Sequence, residues 1–127
     1  MSKRVLDVGN CGPDHSSIRR FFATHFASIE VDQTHGPNDT IEALRKNQYD
    51  LVLINRKLDQ DYSDGLEIIK QIKADGDLAD VAIMMITNYE EHQQLAVDAG
   101  ALLGFGKLEL QSTETIERVR SALDLSI

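Results

Sequence analysis

The sequence "YDLVLINRKLDQDYSDG" (residues 49–65) joins an apolar run directly to a polar loop. The run from Asp50 to Asn55 carries the aliphatic residues LVLI without polar alternation, which is typical of a parallel strand covered by helices on both faces. In open α/β sheets, ligands bind beyond the carboxyl ends of the strands. The stretch therefore predicts a buried strand that delivers Asn55 to a candidate site.

Outward from this strand, short apolar runs alternate with longer segments of helical period. This alternation is typical of βαβ units around a parallel sheet. It predicts five strands: Arg4 to Val8, Ser28 to Asp32, Asp50 to Asn55, Val81 to Thr87, and Leu102 to Gly106. We therefore expect a single α/β domain of the (βα)5 type, doubly wound around a five-stranded parallel sheet.

The helices are placed by the residues that usually begin and end them. Pro13 suits the first position of the first helix, because its missing N–H would be unpaired there in any case. The second helix is expected to start from Asn38 or Asp39 as a cap, and the third near Ser63. The fourth segment, "NYEEHQQLAVDAG" (residues 88–100), ends at glycine, and the fifth, "STETIERVRSALDL" (residues 112–125), begins at serine.

Length and composition favour one domain over residues 1–127 without an output domain, because 127 residues is the size of a typical single domain. No segment approaches the ~20 apolar residues of a membrane span, and no secretory signal precedes the first strand. The single cysteine, Cys11, cannot form an internal disulfide. A net charge of −8 argues against a nucleic-acid partner. We expect a cytoplasmic protein that is not bound to a membrane.

Small or polar residues follow several predicted strands at the edge where ligands are expected. They are Gly9, Asn10 and Cys11 after the first strand, Asn55 and Arg56 at the third, Thr87 and Asn88 at the fourth, and Lys107 at the fifth. Across essentially the whole chain, their order and spacing resemble the receiver domain of two-component response regulators. The motifs that carry this resemblance are "DLVLIN" (50–55), the pair "DG" (64–65), "IMMIT" (83–87), and "AGA" (99–101) followed by the lysine of "GFGK" (104–107). The resemblance implies a flavodoxin-like fold with strand order 2-1-3-4-5.

The resemblance also implies roles for five positions. In receivers, two acidic residues and an acceptor aspartate hold Mg²⁺, and the aspartate takes a phosphoryl group from a histidine kinase. Here the acidic pair falls on Gly9 and Asn10, and the acceptor falls on Asn55. The residues that would bind the phosphoryl oxygens are retained as Thr87 and Lys107.

The loss of three carboxylates has direct chemical consequences. Mg²⁺ is normally held by one or two carboxylates, which glycine and neutral amides do not replace. An amide oxygen is also a poor nucleophile, so Asn55 should not form an acyl phosphate. We therefore expect a degenerate receiver, or pseudo-receiver, with no cofactor, no bound metal and no catalytic residue. It would not be an enzyme.

Such a module would act in a two-component or phosphorelay pathway by binding proteins. The resemblance implies an interface on the fourth helix, the fifth strand and the fifth helix, used by a protein partner or by a second copy in a homodimer. The apolar run "GALLGFG" (100–106) agrees with this, because the fifth strand is expected at the margin of the sheet. Gly104 occupies the position of an aromatic residue that changes rotamer in receivers, and Phe105 should face the other side of the strand.

Two other functions stay open. One is a sensor of an anion or small ligand that uses Asn10, Asn55, Thr87 and Lys107. The other is a receiver phosphorylated at an unusual residue, namely Asp59, Asp61 or His15.

Two further side chains have a structural interpretation. Lys107 could pair with Asp59, Asp61 or Asp14, which would leave the pocket without a free charge. Asp7 interrupts a strand that should be buried, so it needs a hydrogen-bonding partner or a raised pKa. We interpret Asp7 as a structural hydrogen-bonding residue rather than as a substitute for the lost acidic pair.

Overall fold

The computed structural model describes residues 3–123. Five strands alternate with five helices along the chain, as the pattern of apolar residues predicts. A short 3-10 turn, Lys107–Glu109, precedes the last helix. The strands are β1 (Lys3–Val8), β2 (Ile29–Thr34), β3 (Leu51–Asn55), β4 (Ile83–Ile86) and β5 (Leu102–Phe105), and the helices are α1 (Gly12–His25), α2 (Pro37–Lys46), α3 (Leu66–Ala74), α4 (Glu90–Asp98) and α5 (Thr113–Ala122).

All strand pairs are parallel, and the strand order is β2-β1-β3-β4-β5. This confirms the doubly wound, flavodoxin-like fold with order 2-1-3-4-5. The central strands β3 and β4 are buried along their whole aliphatic runs, because helices cover both faces. On one face, α2, α3 and α4 pack against residues such as Val52 and Ile54. On the other face, α1 and α5 pack against residues such as Leu51 and Leu53.

The second and third helices begin at other residues than the sequence predicts. The cap of α2 is Gly36, because Pro37 takes the first helical position. Asp39 lies one turn inside the helix, and its carboxylate accepts hydrogen bonds from the backbone N–H groups of Gly36 and His35. The expectation that Asn38 or Asp39 caps this helix is therefore wrong, although Asp39 does satisfy the free backbone donors at its start.

The expected start of α3 near Ser63 is also wrong, since the helix begins at Leu66. Ser63 belongs to the preceding loop, where its N–H and hydroxyl both donate to Asp61. Asp64 accepts from the N–H of Leu66 at 3.0 Å and so supports the first turn. The loop after β3 consequently extends through Gly65.

The strand bounds also differ from the prediction, most clearly in β2 and β4. β2 runs to Thr34, two residues beyond the predicted end, and β4 is shorter than predicted at both ends. The predicted cap of the fifth helix is confirmed, because the Ser112 side chain accepts from the N–H of Thr115. Residues 124 and 125 of the predicted fifth helical segment lie outside the described residues, as do residues 1, 2, 126 and 127 of the predicted domain. Within residues 3–123, no helix combines the length and apolarity that crossing a membrane requires.

Candidate functional site

The first position of the expected acidic pair, Gly9, cannot carry a side chain without local rearrangement. Its backbone has φ +78°, which L side chains rarely adopt. A Cβ atom there would lie 2.5 Å from Cδ2 of Leu58 and 3.2 Å from its Cα. The loop after β3 therefore packs directly on the end of β1, in the space that an acidic side chain would need.

The second position, Asn10, is fully buried and directed toward Asp7 in β1. Its Nδ2 donates to Oδ1 of Asp7 at 2.6 Å, and its backbone carbonyl accepts from Nε2 of Gln33 at 2.9 Å. Among residues 3–123, the buried Asn10 Oδ1 atom has no hydrogen-bond partner. Asn10 thus links β1 and β2 through its Nδ2 group and its backbone carbonyl.

Asp7 is fully buried in β1 and has two side-chain partners. In addition to Asn10, Nδ1 of His15 lies 2.7 Å from its Oδ2. Burial raises the pKa of Asp7, while His15, Asn10 and the more distant charge of Lys107 oppose that shift. This carboxylate is already bound on both oxygens, which agrees with the structural interpretation of Asp7.

Asn55 lies at the end of β3, between two backbone carbonyl groups. Its Nδ2 donates to the carbonyl of Lys57 at 2.6 Å and lies 3.4 Å from the carbonyl of Gly9. The Gly9 carbonyl also accepts from the N–H of Asp59 at 3.0 Å. The Asn55 Nδ2 group thus lies between the carbonyl oxygens of Lys57 and Gly9 and connects the loops after β1 and β3.

The retained phosphoryl-ligand positions, Thr87 and Lys107, are both engaged within the chain. The Thr87 hydroxyl accepts from the N–H of Tyr89 at 3.3 Å. Nζ of Lys107 donates to Oδ2 of Asp14 at 2.7 Å. This hydrogen bond from Lys107 lowers the pKa of Asp14, with a smaller contribution from the thiol of Cys11. Of the three partners expected for Lys107, the structure selects Asp14.

The strand register brings the expected site residues to one edge of the sheet. Asn55 pairs with Ile86, and Ile86 pairs with Phe105, so Thr87 and Lys107 follow directly beyond the same edge.

The carboxylates of the two aspartates in the long loop after β3 bind residues other than the expected site residues. Asp59 pairs with Nδ1 of His35 at 3.1 Å, which links the loops after β2 and β3. Asp61 accepts from Ser63, and these hydrogen bonds lower its pKa. Across residues 3–123, no group of three or more His, Cys, Asp or Glu side chains is arranged to hold a metal ion.

Gln93 is a residue that the sequence does not single out, yet it joins α4 to both β4 and β5. Its side chain is 8% exposed. Its Nε2 donates to the carbonyl of Met85 at 2.9 Å and lies 3.2 Å from that of Thr87, and its Oε1 accepts from the N–H of Gly104 at 2.9 Å. An isolated glutamine in a helix carries no signal of such a role.

We call the hydrogen bonds of Gln93 to Met85 and Gly104 the Gln93 clamp. They lie where the register between β4 and β5 is irregular. Met84 pairs with Leu102 and Ile86 with Phe105, so β5 holds one extra residue. A Cβ on Gly104 would lie 2.2 Å from the carbonyl of Met85, so this close approach requires glycine. Phe105 packs beside Phe21 in the cluster beneath α1, as expected for a side chain turned away from α4.

A protein-family model matches most of the chain. Residues 13–108 match the model of the response regulator receiver domain. Because the match spans well over half of the 127 residues, the chain belongs to the receiver domain family. Members of this family signal in two-component systems by interacting with other proteins, and they generally act as signalling modules rather than enzymes.

Solved structures share the fold at low sequence identity. The signal receiver domain of a DNA-binding response regulator from Colwellia psychrerythraea 34H is 18% identical, with a TM-score of 0.80 over 97% of this chain and 99% of that chain. The chemotaxis response regulator CheY4 of Vibrio cholerae is 16% identical, with a TM-score of 0.74 over 97% of this chain and 99% of that chain. No match was found among curated proteins. The structural likeness therefore supports the fold alone.

Proposed function

We propose that this chain is a degenerate receiver that does not accept a phosphoryl group at Asn55 and that signals by binding protein partners. The observation that carries the proposal is the position of the Asn55 amide, which donates to the carbonyl of Lys57 at 2.6 Å. A phosphoacceptor needs a nucleophilic carboxylate oxygen with access to the donor. At this strand end, an amide with no nucleophilic oxygen holds two loops together.

The same geometry argues against a Mg²⁺ cofactor. The Lys57 and Gly9 carbonyl oxygens face the Nδ2 atom of Asn55, which supplies the partial positive charge that a cation would otherwise bring. The buried carboxylate of Asp7 is bound by His15 and Asn10. A divalent cation would have to displace these donors without gaining a free carboxylate.

The positions expected to bind phosphoryl oxygens also have other partners. Lys107 is bound to Asp14, and the Thr87 hydroxyl is bound to the backbone of Tyr89. Their retention is explained by these contacts without a phosphoryl group. We therefore assign Gly9, Asn10, Asn55, Thr87 and Lys107 as the remnant of a receiver site.

The surface that we assign to partner binding comprises α4, β5 and α5. The exposed apolar side chains Val97, Leu102 and Leu103 lie on it. Since β5 is an edge strand of the described sheet, no further strand lies beside Leu102 and Leu103. The buried clamp of Gln93 holds this surface in one arrangement, so partner binding does not need a phosphorylation event to form it.

An anion or small-ligand sensor has less support as the function of the remnant site. A cavity of about 170 Å³ lies beside Lys107, and Asp14 also lines it. These two residues carry the only charges in its lining, and they neutralise each other at 2.7 Å. An anion would have to break this ion pair.

The experiment that tests the proposal is an amide-resolved NMR titration of the protein with Mg²⁺ and then with acetyl phosphate. We expect the amide resonances of residues 9–11, 55–57, 87 and 107 to stay unchanged. Saturable shifts in these resonances would contradict the proposal, since they would mean that the lost carboxylates have been compensated. Intact-mass measurement on the same samples, followed by peptide mapping, would detect modification at His15, Asp59 or Asp61.

A further inference from the structure

A groove of about 470 Å³ runs between α4 and α5 along the edge of β5. We call it the α4–α5 groove. Its apolar part includes Val97 and Leu103, of which 38% and 49% remain exposed. Its full lining is Thr87, Asn88, Glu90, Gln93, Gln94, Val97, Leu103, Gly104, Phe105, Gly106, Glu109, Glu114 and Arg118.

The charges of the groove are predominantly negative. Three carboxylates line it, from Glu90, Glu109 and Glu114, against the single guanidinium of Arg118. That guanidinium is already engaged, because it donates to the carbonyl of Gly104 at 3.0 Å and lies 3.8 Å from Glu114. Among residues 3–123, Glu90 and Glu109 have no ion-pair partner. The groove thus has two carboxylates that are free to pair with an incoming cation.

The backbone of β5 limits how a partner can bind. Both polar groups of Gly104 are taken by side chains, because its N–H donates to Gln93 and its carbonyl accepts from Arg118. An incoming strand would find neither group available at this point of the edge. The groove therefore suits side chains presented by a helix or a turn, and the clamp keeps its shape fixed before binding.

We propose that the α4–α5 groove docks a segment of a different protein that presents Arg or Lys side chains next to apolar residues. This inference rests on the proposed function, in which the same face binds partners. The basic groups pair with Glu90 and Glu109, and the apolar residues cover Val97 and Leu103. A second copy of this chain fits less well, because it would bring to the contact the same excess of three carboxylates over one guanidinium.

The test uses three synthetic helical peptides of about 18 residues as probes. The first carries a row of Leu flanked by Arg on the same side of the helix, the second replaces Arg with Glu, and the third replaces Leu with Ser. Only the Leu–Arg peptide should shift the amide resonances of residues 90, 94, 97, 103 and 114 in a saturable way. Binding by the Ser–Arg peptide of equal strength would overturn the proposal, since it would reduce the interaction to net charge.

Two double variants with the same net charge separate local pairing from general attraction. The groove variant Glu90→Gln/Glu109→Gln should bind the Leu–Arg peptide about tenfold more weakly. The control Glu42→Gln/Glu67→Gln removes two exposed carboxylates on α2 and α3, and it should leave binding unchanged. Equal weakening in both variants would overturn the proposal.

Measuring self-association tests whether a second copy of this chain, rather than a different protein, occupies the groove. If no peptide binds and the protein dimerises in sedimentation in a way that Leu103→Ala abolishes, the occupant is a second copy and the inference is wrong. The proposed function would survive that result, because it needs only a protein partner and its own test is made at Asn55. If no peptide binds and no dimer forms, the groove is not a docking site for basic segments.

Discussion

Two regions of this receiver fold, the strand ends that carry the expected site residues and the face formed by α4, β5 and α5, are built differently. At the ends of β1 and β3, every expected site residue is either closed in by packing or bound to another part of the chain, as the contacts of Gly9 and Asn55 show. At the edge of β5, apolar side chains and two unpaired carboxylates face outward. Under the proposed function, the fold has lost the chemistry of the first region while the second stays available for recognition.

The physical basis of this contrast is the direction in which hydrogen bonds are made. In the site, side chains such as Asn10 and Asn55 bond inward to strands and loops of their own chain. At β5, Gln93 and Arg118 make the side-chain hydrogen bonds to the strand, while among residues 3–123 Glu90 and Glu109 have no ion-pair partner. Substitutions in the two regions should therefore have different effects on stability.

The largest effect is expected from Gln93→Leu, which removes the clamp between α4 and β5. The variant leaves the N–H of Gly104 and the carbonyl of Met85 buried without their partner. Unsatisfied buried polar groups cost about 1–3 kcal/mol each, so we expect a loss of about 3 kcal/mol in the free energy of unfolding. Urea denaturation measures the loss, and hydrogen exchange should show faster exchange at β5 than at β1.

The matched control for this prediction is Gln94→Leu. Gln94 is exposed on the same helix, and within the described part of the chain its side chain bonds only to Asp98. Its replacement should change stability by no more than about 0.5 kcal/mol. If Gln93→Leu costs no more than Gln94→Leu, the clamp does not hold this face together.

The next effect is expected at the closed end, from Gly9→Ala. The added Cβ meets Leu58 in a backbone conformation with positive φ, so strain and overlap act together. We expect a loss of about 2 kcal/mol, measured by urea denaturation. Gly12→Ala is the control, because nothing lies within 4 Å of a Cβ at that position, and it should change stability by less than about 0.5 kcal/mol. Equal costs for the two variants would mean that the end of β1 is not tightly packed.

Asn55→Asp tests whether the amide stabilises the remnant site. The carboxylate cannot donate to the carbonyls of Lys57 and Gly9, so we expect a loss of about 1–2 kcal/mol at neutral pH without divalent ions. Mg²⁺ should restore part of this loss, because the variant offers it a carboxylate beside two carbonyl oxygens. The measurement is thermal unfolding with and without Mg²⁺.

Asn88→Asp is the matched control for Asn55→Asp. Asn88 accepts from the N–H of Leu108 through Oδ1, a role that a carboxylate keeps. It should therefore show neither the loss nor the Mg²⁺ effect. A variant Asn55→Asp as stable as the unmodified protein in the absence of Mg²⁺ would show that the hydrogen bonds of the amide contribute little.

The sequence predicts the fold well because the relevant signals are local. The aliphatic run of β3 and the helical periods on either side depend on neighbouring residues only, and they lead to the correct strand order through the family resemblance. The position of Asn55 at a strand end follows from the same pattern. Even the partner of Lys107 could be narrowed to three aspartates, of which Asp14 is correct.

The remaining features depend on contacts between distant residues. The backbone carbonyl of Asn10 accepts a hydrogen bond from the Gln33 side chain. The backbone of Gly104 is bound by the side chains of Gln93 and Arg118. No period or spacing in the sequence identifies such pairs. The start of α2 differs from the prediction for another reason: Pro37 is a local signal that places the cap at Gly36, and Asp39 then serves as the third helical residue rather than as the cap. Polar residues with several alternative partners are thus the least predictable from sequence.

The smallest effect is expected from Asp7→Asn, and its sign depends on pH. Because burial raises the pKa of Asp7, the folded protein binds a proton at this residue more tightly than the unfolded chain. The resulting stability is complete below the ordinary carboxyl pKa and is lost as the pH rises through the raised value. Asp7→Asn keeps a neutral group beside Asn10 and His15, so its free energy of unfolding should fall less over that pH range.

Asp14→Asn should change the stability at neutral pH in the opposite direction to Asp7→Asn. The hydrogen bond from Lys107 lowers the pKa of Asp14, so its stabilising effect is present above the ordinary carboxyl pKa and is lost on acidification. Urea denaturation from about pH 3 to pH 8 should therefore show both variants close to the unmodified protein at the acid end; toward neutral pH, Asp7→Asn becomes relatively more stable and Asp14→Asn relatively less stable than the unmodified protein. Identical curves for Asp7→Asn and the unmodified protein would mean that His15 and Lys107 fully compensate the burial of this carboxylate, and that the closed end carries no electrostatic cost.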